Sequence, residues 1–446
     1  MVIRAEVLMK MKSGKNMDNN KPVEAKPIKN SRSKWLLYLP GLLFLVYTVI
    51  LFVYFLAQPE NATPTRLLGT AADPATFLTH EEIANIHEFA LFRYLYAFWV
   101  PVLEWVLLIY LYLSGFAGKL QRRLQKKITR RYPAAAVTAA ILYIGLQIVL
   151  LPVEFIYYRL REAYGLTEQR FGSWFMERLI DLGVGICTDL LVLLLILWLI
   201  GRFSKRWWVI LWVLSIPASL FFSYVQPVLI EPLYNNFVPL QNQELKAKIL
   251  DLAARTGVPA HDVVQADMSK QTTSINAYVS GIGSSTRVVL WDTSLDKLND
   301  NEILSVTAHE FGHYVHKDVY YGTLYAIGGS LLFFIVLAGF WWLVERKVPE
   351  GADRIPILML LLLALLFFSS PITSALSYRM EDRADRYATE LLQDRAANIG
   401  LHQKLAKYNK SEMNPPALYT FFFGDHPTLS ERIESDLPAS GAQTSK

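Results

Sequence analysis

Long apolar blocks constrain this chain more than any other feature of its sequence. An α-helix needs about 20 apolar residues to cross roughly 30 Å of hydrocarbon. We predict seven such spans, at 35–57, 93–117, 134–158, 178–202, 207–230, 320–344 and 355–377. The whole chain is 53% hydrophobic and only 19% charged, whereas soluble proteins carry about 25% charged residues. The sequence therefore predicts a mainly α-helical, polytopic membrane protein with seven transmembrane helices.

Polar segments divide the rest of the chain. Residues 1–34 are lysine-rich and predict a disordered basic tail, and 35–230 hold spans one to five. Residues 231–319 and 378–446 are too long for connectors and flank spans six and seven in 320–377. Since span six crosses the membrane and span seven returns, both polar regions lie on one face. We expect them to form a single small α+β domain there.

Bulk composition excludes several function classes. The net charge of +5 comes from clusters that flank the spans, so we expect no nucleic-acid partner. The single Cys187 excludes a cysteine metal cage.

The stretch "AHEFGH" carries the clearest chemistry. His309 and His313 are four residues apart, so on a helix both project from one face and can bind one metal ion. Glu310 would then act as a general base. A third ligand is needed, and Glu381 follows span seven closely enough to reach the pair, with Asp385 one turn further to orient a ligand histidine. The alternatives are two solvated or core histidines and a salt-bridged helix face.

Other polar residues carry weaker signals. His426 precedes a proline, which is typical of a surface loop, although a histidine can also stabilise the oxyanion of a peptidase. Both interpretations stay open. Asp181 and Asp189 lie inside an apolar block, where a charge is costly, so we expect them to face a hydrated intramembrane space.

Several motifs together resemble the type I CAAX prenyl protease family of integral-membrane zinc metallopeptidases. They are "EPLYNNFVPL", "SKQTTSINAYVSGIGSSTRVVLWDTSL", "SYRMEDRADRYA", "DHPTLSERI" and "REAYGLTEQRFGSWF". The resemblance covers about 150–446. It implies seven helices that enclose a cavity and a zincin-like domain of the gluzincin type with one Zn²⁺ per chain.

The resemblance also implies a role for each matching residue. His309, His313 and Glu381 would bind zinc and Glu310 would be the base. Asn276, in an edge strand, would contact the substrate backbone. His426 and Arg432 would hold the substrate carbonyl or the oxyanion, and a peptide or protein would be the substrate.

This sequence departs from the family in ways that bear on its origin. Asp318 stands where family members often have a histidine. The compact loops favour a bacterial member in the cytoplasmic membrane over one in the endoplasmic reticulum. Because bacteria lack the usual prenylation pathway, a prenylated substrate and a membrane-inserted one remain alternatives. The sequence gives no oligomeric state.

Two features of the sequence predict opposite orientations in the membrane. The tail 1–34 holds nine Lys/Arg, and "KLQRRLQKKITRR" between spans two and three holds seven with no acid. Under the positive-inside rule this bias puts the protease domain outside the cytoplasm. The family resemblance implies a cytosolic protease face, and both orientations stay open.

Three functions are compatible with these patterns. The first is a zinc endopeptidase that cleaves lipid-anchored or membrane-inserted polypeptides. The second is a channel or transporter with a structural metal site, which would not need Glu310. The third is a quality-control factor that clears stalled membrane chains.

Overall fold

The computed structural model describes residues 33–60, 62–224, 230–281, 286–348 and 351–438. The predicted disordered tail lies almost entirely outside these ranges. The helices before the sheet domain are α1 (Ser33–Leu56), α2 (His80–Leu113), α3 (Phe116–Gln125), α4 (Arg131–Ala163), α5 (Phe171–Gly185), α6 (Leu191–Arg202) and α7 (Trp207–Tyr224). A π-helical turn, Ile186–Leu190, joins α5 to α6 into one continuous rod.

The second half of the chain alternates a small sheet with further helices. The strands are β1 (Phe237–Pro239), β2 (Asp262–Ala266), β3 (Ala277–Ser280) and β4 (Arg287–Trp291). The helices are α8 (Gln243–Thr256), α9 (Asp292–Lys297), α10 (Asp300–Val315), α11 (Asp318–Glu345), α12 (Arg354–Leu392), α13 (Arg395–Tyr408), α14 (Ala417–Phe423) and α15 (Leu429–Asp436). The predicted class, a mainly helical membrane protein with a small α+β domain, is confirmed.

Six helices or continuous rods in the described ranges are long and apolar enough to cross a membrane. They are α1, α2, α4, the α5–α6 rod, α11 and α12. The predicted fifth span corresponds to α7, whose apolar part, Trp207–Phe221, is shorter than a typical span. The predicted count of seven is therefore not confirmed by length and composition.

The sheet has the order β1-β2-β4-β3, with β2 parallel to β4 and the other pairs antiparallel. Its buried side chains, such as Val263, Val288 and Leu290, pack with apolar residues of α8 and α10 in one cluster. Among the described strands β3 pairs with β4 alone, so its other edge faces no described strand. This edge lies beside α10, the helix that contains the His-Glu-x-x-His motif.

A cavity of about 540 Å³ opens between α4 and the α5–α6 rod, both of which are long and apolar enough to cross a membrane. Asp181 and Asp189 both line it, as expected for acids placed inside an apolar block. The Asp181 carboxylate accepts a hydrogen bond from the Tyr234 hydroxyl at 2.7 Å and lies 2.7 Å from the Arg178 guanidinium. The Asp189 carboxylate accepts from the Tyr143 hydroxyl at 3.2 Å.

Candidate metal centre and active site

Helix α10 carries the motif and is fixed at both ends. The Asn299 side chain accepts from the Glu302 N–H, and the Glu302 carboxylate accepts from the Asn299 N–H, which makes a capping box. At the other end Lys317 adopts a left-handed conformation with φ of 58°, so the chain turns sharply into α11. The motif thus occupies the last turns of a well-defined helix, directly before a membrane-spanning helix.

His309, His313 and Glu381 converge on one point. The Nε2 atoms of His309 and His313 are 3.1 Å apart. The Glu381 carboxylate, delivered by α12, lies 3.1 Å from His309 Nε2 and 3.4 Å from His313 Nε2. One ligand atom from each of the three residues falls within 4.8 Å of the others. The three predicted ligands are therefore close enough to share one ion.

The hydrogen bonds on the far side of each imidazole show that this donor set fits a cation. Nδ1 of His309 is 2.8 Å from the Asp385 carboxylate, and Nδ1 of His313 is 2.8 Å from the Asp318 carboxylate. A carboxylate only accepts, so each Nδ1 carries a proton, and in the neutral imidazole each Nε2 then presents a lone pair. Two lone pairs and a carboxylate that face one another need a cation between them, and this donor set fits a metal ion.

A glycine allows the two helices to come this close. A Cβ atom at Gly312 would lie 3.1 Å from the Cα atom of Ala384 and 3.3 Å from its carbonyl oxygen. Few Cβ atoms tolerate such contacts, so α10 and α12 touch backbone to backbone at this position. The contact lies between His309 and His313 on one helix and beside Glu381 on the other, so it sets the distance between the ligands.

Glu310 lies beside the three candidate ligands and contacts the edge strand. Its carboxylate accepts a hydrogen bond from the Val279 N–H of β3, and burial raises its pKa above the ordinary value. A cleft of about 860 Å³ runs past Glu310 and Val279. It is lined by β3, by the start of α11 and by the turn of α12 that contains Glu381. The Glu310 carboxylate thus lies between the candidate metal ligands and the outer edge of β3.

His426 lies at the metal centre, since its Nε2 is 3.1 Å from the Glu381 carboxylate. The Asp425 carboxylate holds its other ring nitrogen at 2.9 Å. Nearly half of the His426 side chain remains exposed, so it borders the cleft.

Arg432 and Asn276 occupy different surroundings. The Arg432 guanidinium donates to the Asp385 carboxylate at 2.5 Å, so it contacts a residue that orients a ligand histidine. Asn276 is exposed directly before β3, and its side-chain oxygen accepts from the Ala277 N–H. Its own backbone N–H donates to the Ser294 hydroxyl, which in turn donates to the Asn276 carbonyl.

Two residues near the centre have only weak signals in the sequence. Asp318 stands out there only as a departure from the family pattern, yet its carboxylate contacts His313 Nδ1 and pairs with Arg383. An acid five residues after the second histidine, at the start of the next helix, was the available signal. His402, which matched no pattern, is buried beside Asp385 and Arg432, and burial lowers its pKa well below the ordinary value. Nothing in its local sequence indicates this position.

Two family models match adjacent parts of the chain. The model described as peptidase family M48 matches residues 239–436. The model described as the CAAX prenyl protease N-terminal region, five membrane helices, matches residues 66–236. Together they cover almost all of the described structure from the first polar loop onwards.

Curated relatives and a solved structure agree with these matches. The uncharacterized metalloprotease YhfN of Bacillus subtilis is 37% identical over 88% of this chain and 94% of its own length. CAAX prenyl protease 1 of Saccharomyces cerevisiae is 26% identical over 68% of this chain and 73% of its own length. The crystal structure of S. mikatae Ste24p has the same fold, with a TM-score of 0.73 and 22% identity over 92% of this chain and 99% of that one. The chain therefore belongs to the M48 peptidase family of CAAX prenyl protease-type membrane metalloproteases.

Proposed function

We propose that this protein is a zinc endopeptidase of the bacterial cytoplasmic membrane that hydrolyses peptide bonds of membrane-associated or lipid-modified polypeptides. One observation carries the proposal. Two imidazole Nε2 lone pairs and the Glu381 carboxylate converge within 4.8 Å beside a buried glutamate and an open strand edge. His₂Glu is a ligand set of catalytic zinc, which keeps one position open for water or substrate.

His309, His313 and Glu381 would hold the ion, with Asp385 and Asp318 orienting the two imidazoles. When bound, zinc supplies a Lewis acid that polarises a peptide carbonyl and a water molecule. The remaining chemistry belongs to the side chains around it.

Glu310 is the proton carrier. Its carboxylate takes the proton of the attacking water and delivers it to the leaving amine. Its raised pKa suits this role, because a base whose pKa is closer to neutrality also makes a competent acid. His426 would donate from Nε2 to the oxyanion that develops on the substrate carbonyl, and Asp425 would keep its ring oriented.

The substrate would bind as an added strand. An extended peptide would pair with the outer edge of β3 and take the place of Glu310 at the Val279 N–H, and Asn276 offers a side-chain amide at the start of the strand. Arg432 would act through Asp385 instead of touching the substrate, since its guanidinium donates to that carboxylate.

The cleft also favours substrates that reach it from the bilayer. It is bordered by the first turn of α11 and by the part of α12 that leaves the membrane. The name of the yeast relative, CAAX prenyl protease 1, refers to prenyl groups. We propose that membrane attachment, by lipid or by a transmembrane segment, is what brings a polypeptide to this cleft.

The test is Glu310→Gln in the purified, detergent-solubilised protein. We expect about one zinc per chain, measured by plasma mass spectrometry, while the peptidase activity on an unfolded reporter protein falls by about 10²–10⁴-fold. Glu244→Gln, on the exposed surface of α8, is the matched control and should retain both zinc and activity. A metal that is only structural predicts full activity in Glu310→Gln, and that outcome would exclude the proposed mechanism.

A further inference from the structure

The face of the membrane on which the active site lies can be assigned from contacts between loops, without counting spans. The loop between α1 and α2 packs on the protease domain. Arg66 forms a bidentate ion pair with Glu434 of α15, at 2.7 and 2.8 Å. Leu67 and Ala72 share a buried cluster with Ile433. This loop therefore lies on the protease face.

The loop between α4 and α5 lies on the same face. The Thr273 N–H donates to the Leu166 carbonyl, and the Thr273 hydroxyl donates to the Gly165 carbonyl at 2.7 Å. Thr167 donates to the Gln271 carbonyl at 2.8 Å. These contacts join the loop to the segment that leads into β3.

Three other linkers lie at the opposite end of the helices. The segment that contains α3 contacts the linker between α11 and α12, because the Asp353 carboxylate accepts from the Gly118 N–H and the Gln121 side chain accepts from the Ala352 N–H. Both α11 and α12 have their other ends at the metal centre. The α6–α7 linker follows a rod of 32 residues that begins at the protease face, about 48 Å away at 1.5 Å per residue.

Helix α7 returns from that far end to the protease face. Near its end the Ser223 hydroxyl accepts from Thr323, which lies in the second turn of α11. The short α7 therefore crosses the same layer as its longer neighbours. The loop assignments agree with seven crossings, although they do not depend on that number.

Charge divides sharply between the two faces. The three far linkers, 114–130, 203–206 and 346–353, contain ten Lys/Arg and two Asp/Glu. The two short loops on the protease face, 57–79 and 164–170, contain two Lys/Arg and three Asp/Glu. The sequence before α1, which enters from the far face, adds nine Lys/Arg and three Asp/Glu within residues 1–34.

We infer that the metal centre faces away from the cytoplasm. Short loops rich in Lys and Arg are retained on the cytoplasmic side during insertion, whereas large polar domains are translocated largely regardless of their charge. The far linkers are short and rich in Lys and Arg, and the protease domain is a large polar domain. The basic end of the bundle is therefore cytoplasmic, and the cleft beside β3 opens to the outer surface of the membrane.

This orientation narrows the substrate class, and that step rests on the proposed peptidase activity. The enzyme meets polypeptides that have already crossed the bilayer and remain attached to it. These are segments on the outer side of transmembrane proteins, exported chains held by a lipid anchor, and remnants of export signals. Cytosolic chains with a lipid at the C-terminus are excluded because they are on the wrong side of the membrane.

A pair of cysteine variants tests the orientation. In a Cys187→Ser background, Ala254→Cys places a thiol on the exposed surface of α8, and Thr129→Cys places one in the basic linker after α3. Neither substitution changes a charge. In spheroplasts, a membrane-impermeant maleimide should label the thiol at position 254 to more than about tenfold the extent of the thiol at 129, and detergent should make the two equal.

The reverse pattern, or equal labelling of both thiols in intact spheroplasts, overturns the inference. Labelling does not require catalysis, so the same pattern is expected in Glu310→Gln. Peptidase activity is measured separately on the purified protein. If the wild type is active but the thiol at 254 is not labelled preferentially, only the orientation is rejected. If the thiol at 254 is labelled preferentially but the wild type has no peptidase activity, only the proposed function is rejected.

Discussion

The metal centre and the intramembrane cavity both gather acids and their partners, but they are built differently. At the metal centre each carboxylate has an assigned partner within about 3 Å, and two helices touch through their backbones at Gly312. In the cavity the contacts are uneven: Asp181 is held at 2.7 Å by both Arg178 and Tyr234, whereas Arg178 lies 3.5 Å from Glu154 and Tyr143 lies 3.2 Å from Asp189.

The difference shows which polar groups need a fixed geometry. Ligand atoms must be held within a few tenths of an ångström, so their partners and backbone contacts are tight. The cavity needs only to keep acids away from lipid, which water and partial pairing can do. We therefore expect substitutions at the metal centre to have large effects and those at the cavity to have small ones.

The largest effect is expected for Gly312→Val. The added side chain would press on Ala384 and force α10 and α12 apart, which would separate Glu381 from the two histidines. We expect loss of most bound zinc and a destabilisation of about 1–3 kcal/mol, the usual cost of overpacking. Zinc content and the thermal midpoint of the purified protein measure the two effects.

Gly328→Val is the control for this substitution. Gly328 is an exposed helical glycine of α11 with open space around its Cβ position. The control should bind zinc like the wild type. If Gly312→Val does the same, the backbone contact does not set the ligand distances.

An intermediate effect is expected for the two carboxylates behind the histidines. Asp385→Asn and Asp318→Asn should each weaken zinc binding by about 10–100-fold, the range found for partners of ligand histidines. Asp385→Asn should be the more severe, because Asp385 also receives the buried Arg432, whereas the partner Arg383 of Asp318 is 44% exposed. Competition with a chelator gives both affinities, and unchanged affinity in both variants would refute this part of the comparison.

The smallest effect is expected for Tyr143→Phe in the cavity. It removes one hydroxyl that donates to Asp189, and hydrogen bonds between membrane helices contribute about 0.6 kcal/mol on average. Zinc content should not change, and activity should stay within about twofold. A large loss of activity would show that the cavity has a role in turnover beyond hydrating its acids.

Much of the centre could be predicted from local spacing. The sequence alone shows that His309 and His313 are four residues apart. It also shows that Glu381 follows an apolar block. The two strands on either side of "SGIGSS" could also be read from the sequence, because alternation and turn residues are local signals. The structure brings these residues together as the spacing suggests.

The rest depends on contacts between distant parts of the chain. No local pattern indicates that Arg432 lies against Asp385 or that His402 is buried beside them. No sequence pattern indicates the role of Asp318, because orienting carboxylates have no fixed spacing from the ligands that they support. The predicted fifth span, 207–230, coincides with α7 up to Tyr224, and residues 225–229 lie outside the described ranges.

The position of the third ligand has a consequence for biosynthesis. His309 and Glu381 are separated in the sequence by two apolar helices, α11 and α12, which must both enter the bilayer before the ligands can meet. His426 and Arg432 join later still. A nascent chain that ends after α10 contains both histidines but neither Glu381 nor Asp385. The growing chain therefore cannot assemble this centre before the last transmembrane hairpin has been inserted and the segment with His426 has followed it.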